Sequence, residues 1–144
     1  MRVYVAITGD LFHYGHVAFL KSAKSFGTDL IVGVCSDADV SKYKRPPIMS
    51  LNERIAVIES CKYVDEVISA APAVTSAAFI QKHKIDLVVA TKAYSNTVLR
   101  QYYGDPLRLN LLKLVDYTDS VSTTKIIKRC YAMYLSSNGN IEQL

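Results

Sequence analysis

The sequence predicts an α/β domain, a doubly wound parallel sheet of about five strands with helices on both faces. Short β-branched runs alternate with stretches of helical period from one end of the chain to the other. The runs are apolar almost without a break, as in strands covered on both faces, instead of alternating apolar and polar. With 144 residues, 50% of them hydrophobic, the chain can build one self-sufficient core. A chain of that size buries roughly two thirds of its unfolded surface on folding.

Val3 to Thr8 is β-branched and reads as the first strand. Gly9 and Asp10 break it, and Phe19, Ala23 and Phe26 then recur at one-turn spacing, the stripe of a helix packed on a core. Gly27 is expected to close that helix. Leu30 to Val34 is apolar without alternation and completes a strand-helix-strand unit by Cys35. From Ser41 to Pro47 the chain is polar and lysine-rich, and Pro46 and Pro47 bar a helix interior. This stretch is expected to be a loop free to cover a ligand. Ser50, with Glu53 three residues on, forms a capping box for a helix carrying Ile55 and Ile58. Asp65 to Ala70 reads as a strand, Thr75 to His83 as a helix and Ile85 to Ala90 as a strand. Lys92 to Asp105 is tyrosine-rich and has no decisive period. Leu109 to Val115 reads as the last strand, and Ser122 caps a helix running through Tyr134, after which Ser136 to Leu144 is expected to fray. Alternation of this kind gives parallel pairing through right-handed crossovers, a Rossmann-like sheet.

A net charge of +4, with the basic residues scattered, does not make the dense cationic stripe that nucleic acid needs, and a small anionic ligand fits better. The apolar runs fall far short of the roughly 20 residues that span a bilayer, and no signal-peptide pattern opens the chain, so a cytoplasmic protein without membrane contact is expected. Cys35, Cys61 and Cys130 lack metal-ligand spacing and read as buried free thiols.

In a doubly wound sheet the ligand sits beyond the carboxyl ends of the strands, and here the first such loop is Gly9 to His16. His13 and His16, three apart at a helix start, lie on one face beside free backbone N–H groups. Gly15 between them leaves room for a phosphate, and Gly9 permits a sharp turn. The set is an anion site with two extra donors. A zinc pair is the alternative, but no third Cys or His ligand lies near; incidental surface histidines are another. No Gly-x-Ser-x-Gly elbow is present, so direct transfer is simpler than a covalent intermediate. A second candidate is Tyr117 to Thr124, where Ser122, Thr123 and Thr124 offer hydroxyls and helix-start amides to the same phosphates, or form a cap and nothing more.

Asp10 to His16, read Asp-Leu-Phe-His-Tyr-Gly-His, resembles the His-x-Gly-His signature of the cytidylyltransferase family of nucleotidyltransferases, and Val121 to Ile127 resembles that family's second signature. Between them, Ile31 to Asp37, Met49 through Asn52-Glu53-Arg54, Cys61 to Ile68, Ala71-Pro72 and His83 to Asp86 are similar in order and spacing to the phosphoethanolamine and phosphocholine branches. The likeness covers nearly the whole chain, with residues 1–135 as the catalytic domain and 136–144 as a polar tail.

The resemblance implies transfer of CMP from CTP, with its Mg²⁺, to a small phosphorylated alcohol of the phosphoethanolamine, phosphocholine or glycerol 3-phosphate class, releasing pyrophosphate. It implies His13, His16 and Lys44 as catalytic residues, Lys44 riding on a lid. Thr8, Gly9, Asp10, Phe12, Gly15, Arg54, Ser122, Thr123 and Thr124 are implied around the nucleotide, and Asp10, Lys92, Tyr94 and Tyr117 around the acceptor. The family usually has Gly at Ile7, Phe at Gly9, Arg at Tyr117, Gly at Ser120 and acidic residues near Lys92. These departures bring in two other readings, CTP-dependent activation of a phosphonate head group and a non-catalytic nucleotide-binding module. An adenylyltransferase shares the first signature only. A homodimer is expected, with the stretch around Tyr102-Tyr103 supplying contacts. No amphipathic membrane helix of the animal phosphocholine branch follows Tyr134, so membrane regulation is not expected.

Overall fold

The computed structural model describes residues 1–144. Five strands, β1 (Arg2–Ile7), β2 (Asp29–Cys35), β3 (Glu66–Ala71), β4 (Leu87–Thr91) and β5 (Leu112–Val115), form one sheet in the order β3-β2-β1-β4-β5 with every pair parallel. The helices are α1 (Tyr14–Lys24), α2 (Asp37–Val40), α3 (Leu51–Glu59), α4 (Ala77–His83), α5 (Asn96–Arg108) and α6 (Thr123–Ser136). This is the doubly wound α/β fold expected from the alternation. The order reverses at β1, so the crevice between the loops after β1 and β4 is where a ligand has room.

Each face of the sheet has its own core. Val3, Val5, Leu30, Val32, Val34, Leu20 and Ile58 pack on the α1 and α3 side, and Tyr4, Ile31, Val88, Ala90, Ile80 and Leu99 pack on the α4 and α5 side. β1 and β2 are buried throughout their centres, which explains their unbroken apolar sequence. Of the three thiols expected to be buried, only Cys35, on β2, is; Cys61 is half-covered and Cys130 is exposed on α6, which turns no residue fully inward.

Element ends differ from expectation for local reasons. α1 stops at Lys24 and is capped by Ser25, two residues before Gly27. α4 starts at Ala77 because Ser76 accepts from the Phe79 N–H, and β4 starts at Leu87 because Lys84 leaves α4 in the left-handed region. β5 starts only at Leu112, since Asn110 has φ 55° and the Leu111 N–H still caps Pro106. α2 is a single turn nucleated by Ser36. The tyrosine-rich stretch is a helix, α5, bent at Tyr103. Pro106 lacks the N–H that would bond Tyr102 four residues back, and the freed Tyr102 carbonyl accepts from Thr75 N–H at 2.9 Å. The bend therefore ties α5 to the loop after β3. The tail holds a short 3₁₀ turn, Ile141–Gln143. No helix is long and apolar enough to cross a membrane.

Candidate active site

A cavity of about 950 Å³ opens beyond the carboxyl ends of the strands, walled by the loops after β1, β2, β4 and β5 and by one side of α5. It brings together His13, His16, Thr8, Gly9, Asp10, Gly15, Lys44, Tyr94, Tyr117, Ser122, Thr123 and Thr124. Phe12, Arg54 and Lys92 are not in its walls.

The two histidines are held by the start of α1. His13 is the N-cap, and its Nδ1 accepts from the Gly15 N–H at 3.0 Å. His16, at the third helical position, accepts on Nδ1 from the His13 N–H at 3.1 Å. This is a capping box in which imidazoles take the parts usually played by Ser and Glu. A nitrogen that accepts an amide hydrogen carries no proton, so both rings are fixed as Nε2–H tautomers. Burial pushes the His16 pKa down to about 4, helped by repulsion from neighbouring His13 when that ring is protonated and from the Lys44 ammonium, and burial lowers that of His13 as well. Both rings are therefore neutral donors at physiological pH. Their centroids lie 4.0 Å apart, and Phe12 stacks on His16 at 5.3 Å, bracing the ring from outside the cavity. A side chain on Gly15 would meet the His13 ring at 2.9 Å, so only glycine leaves the cap intact. Gly9 has φ +70°, and a Cβ there would stand 2.6 Å from Ile58 Cδ1. The turn after β1 thus requires glycine.

Asp10 is buried at 4% exposure, and its carboxylate is fully engaged. Oδ2 accepts from Ile48 N–H at 2.9 Å and Arg45 NH1 at 3.1 Å, and Oδ1 accepts from Met49 N–H at 3.0 Å. Burial alone would raise its pKa, but these donors outweigh it and hold the carboxyl below its usual value. Asp10 therefore pins the far end of the loop that carries Lys44. Lys44 lines the cavity, where the crowding of its amine by surrounding protein lowers its pKa.

Arg54 is fully buried. Its guanidinium donates to the Thr8 carbonyl at 2.6 Å, the Cys35 carbonyl at 2.9 Å and the Met49 carbonyl at 3.3 Å, and it pairs with Asp37. It clamps the ends of β1 and β2 to the loop that precedes α3, and with these bonds made it is not presented to a nucleotide. Lys92 is likewise turned away, paired with Asp116 at 2.7 Å in an exposed bridge.

On the opposite wall Ser122 caps α6 by accepting from Lys125 N–H at 3.1 Å, and Thr123 Oγ1 donates to the Asp10 carbonyl at 3.0 Å while lying 3.4 Å from His13 Nε2. The backbone N–H groups of Thr123 and Thr124 remain open at the helix start, a place suited to phosphate oxygens. Sequence reasoning missed Arg45, Tyr43, Tyr102 and Tyr103 as wall residues. Tyr103 is 5% exposed in the core, so it is closed to the subunit contact expected of that stretch. No group of three His, Cys, Asp or Glu side chains is placed to hold a metal ion.

A sequence profile described as Cytidylyltransferase-like matches residues 8–129. The chain belongs to the cytidylyltransferase-like family. It is 35% identical over 136 residues to the probable ethanolamine-phosphate cytidylyltransferase of Encephalitozoon cuniculi (strain GB-M1), covering 91% of this chain and 40% of that protein. It is 37% identical over 139 residues to choline-phosphate cytidylyltransferase 2 of Arabidopsis thaliana, covering 93% and 46% respectively. The chain thus spans less than half the length of these cytidylyltransferase relatives. Among solved structures it resembles the lipopolysaccharide core biosynthesis protein from Thermoplasma volcanium GSS1 with a TM-score of 0.64 and 25% identity, covering 82% of this chain and 96% of that one. Pantothenate synthetase from Thermus thermophilus, at 13% identity and a TM-score of 0.51 over 80% of this chain and 54% of that one, shares the fold.

Proposed function

We propose that this chain transfers the cytidylyl group of CTP to the phosphate of a small amino alcohol, phosphocholine ahead of phosphoethanolamine, with release of pyrophosphate. The observation that carries the reading is the histidine capping box, which fixes two neutral Nε2–H donors in the cavity of a cytidylyltransferase-like chain.

An oxygen of the acceptor phosphate attacks the α-phosphorus in line, the bond from that phosphorus to the bridging oxygen breaks, and pyrophosphate leaves with the electron pair. The attacking oxygen is already anionic, so no proton needs to be removed and no covalent enzyme intermediate is required. Charge builds on the α-phosphate oxygens, and donors fixed beforehand stabilise it without reorganising. His13 and His16 are assigned this role. Lys44 supplies a cation from the lid, and the open amides of Thr123 and Thr124 receive the departing phosphates. Asp10 is already committed to Ile48, Met49 and Arg45 and so is not a free metal ligand. Magnesium in this reading arrives with CTP, held by phosphate oxygens and water, and neutralises part of the triphosphate charge.

The α5 side of the cavity favours a quaternary ammonium. Tyr94 and Tyr102 line this side, and both carboxylates in the walls, Asp10 and Asp116, already have partners. Ring faces attract a trimethylammonium, whereas a primary ammonium asks for hydrogen-bond acceptors.

The test is pyrophosphate release from CTP and Mg²⁺ with phosphocholine, phosphoethanolamine, glycerol 3-phosphate or 2-aminoethylphosphonate, with His16→Ala as control. Release with phosphocholine first, absent in a folded His16→Ala protein, is the expected result. Turnover with the phosphonate alone would shift the reading to phosphonate activation, and full activity in His16→Ala would end it.

A further inference from the structure

The cavity walls contain just two Lys or Arg residues, Lys44 and Arg45, and they are neighbours on one loop. Everything else that faces a phosphate is neutral. The imidazoles are uncharged, the start of α6 offers amides and hydroxyls, and Lys125 turns its amine onto the Asp119 carbonyl. A nucleoside triphosphate and a phosphate monoester together bring several negative charges into this space, more than one lysine compensates.

Arg45 is held in a particular way. Its NH1 donates to Asp10 Oδ2 at 3.1 Å and to its neighbour's carbonyl, Pro46 O, at 3.4 Å, while Nε and NH2 make no hydrogen bond within the chain. The side chain is 42% exposed and its carboxylate partner 5%. A guanidinium tethered by one terminal nitrogen keeps the opposite edge, Nε–H and NH2, as a two-donor fork matched to two phosphate oxygens. We propose that Arg45 is a second phosphate-binding cation of this site, held side-on by the buried Asp10 carboxylate so that its free edge receives a substrate phosphate. The proposal rests on the nucleotide-transfer reading above.

The anchoring makes the fork ready before the ligand arrives. Ile48 and Met49 fix the backbone on the far side of Arg45 through the same carboxylate, so much of the ordering of a long, flexible side chain precedes binding. The negative charge of Asp10 also lets two cations stand side by side on one loop. Asp10 is thereby a positioning residue, acting on phosphate through Arg45 and through the loop that it pins.

The phosphate can belong to CTP or to the acceptor, and calorimetric titration of the full chain with Mg²⁺ separates the two. CTP, CMP, pyrophosphate, phosphocholine and phosphoethanolamine are titrated into wild type, Arg45→Ala, Arg45→Lys and Lys44→Ala. Arg45→Ala is expected to weaken the contacted ligand by about 10- to 100-fold, the loss typical of a charge-assisted pair. Loss on CTP and pyrophosphate but not CMP assigns the leaving phosphates; loss on phosphocholine or phosphoethanolamine alone assigns the acceptor. Arg45→Lys should recover only part of the affinity, because a point charge does not replace the fork. Asp10→Asn should weaken the same ligand, and its cost should shrink in the Arg45→Ala background, a non-additivity that general loosening of the fold would not give. If Arg45→Ala stays within about two-fold of wild type for every ligand that wild type binds, Arg45 is not a phosphate residue. Should Lys44→Ala still weaken CTP in that case, the transfer reading survives alone. Wild type that binds none of the ligands overturns both.

Discussion

Capping a helix with histidine occupies one ring nitrogen with the backbone and leaves the other for chemistry. Replacing His13 by Asn separates the two uses, because the Asn side chain still caps but has no donor where Nε2–H stood. His13→Asn should keep its urea-unfolding stability within about 1 kcal/mol of wild type while kcat falls by roughly 10²- to 10³-fold, as when one fixed transition-state donor is removed. Equal loss of stability and rate would mean that His13 is only a cap. His16 carries a pH signature. Its pKa falls from 6.5 to about 4 on folding, so between those values the unfolded chain binds more protons than the folded one. Stability is therefore fully present above pH 6.5 and is lost as pH falls toward 4. Denaturation midpoints measured across that window should decline in wild type and decline less in His16→Gln. The pairing of His13 with His16 is legible in the sequence from spacing alone. The tautomers are not, because they depend on which nitrogen the first-turn amides reach, and that is set by the φ and ψ of His13.

Arg54 shows how elements are coupled. One buried guanidinium joins the Thr8 carbonyl just past β1 and the last carbonyl of β2 to Met49, two residues before α3, so the strand ends that floor the cavity are tied to the end of the Lys44 loop. Arg54→Met leaves those carbonyls and Asp37 without their donor and should cost about 3–5 kcal/mol in urea unfolding, with activity falling alongside. Arg54→Lys should restore only part, since one ammonium cannot span carbonyls on three segments. A loss below about 1 kcal/mol for Arg54→Met would show that the clamp is dispensable. The sequence places Arg54 near the site by its match to a family pattern but cannot say that it faces inward; that follows from α3 packing Ile58 and Arg54 toward the sheet together. Strands and most helices are legible because their apolar period is strong. α5 is not, because Gly104 and Pro106 disfavour a helix interior and its tyrosines suit a strand as well, and the bend is accommodated by Thr75 taking the carbonyl that Pro106 leaves free.

At the scale of the molecule the cavity end is tightly cross-tied, whereas α6 leaves the body with no buried residue along its length. Tyr131, Met133, Tyr134 and Leu135 are all exposed. An isolated helix of that length is marginal in water, and its stability comes from packing an apolar face. The expected homodimer would supply that packing. The tyrosines around Tyr102 are committed to the cavity and core, so α6 takes their place as the contact to test. Sedimentation of wild type should give twice the chain mass, and Tyr134→Glu, which puts a charge on the exposed stripe without touching the cavity, should give the monomer with CTP affinity unchanged. Because Ser122, Thr123 and Thr124 open the same helix, loosening α6 by dilution below the dissociation constant should lower turnover more than it lowers nucleotide binding. A monomeric wild type with full activity would show that the Ser122 cap and the Thr123 bond to Asp10 hold the first turn of α6 without a partner.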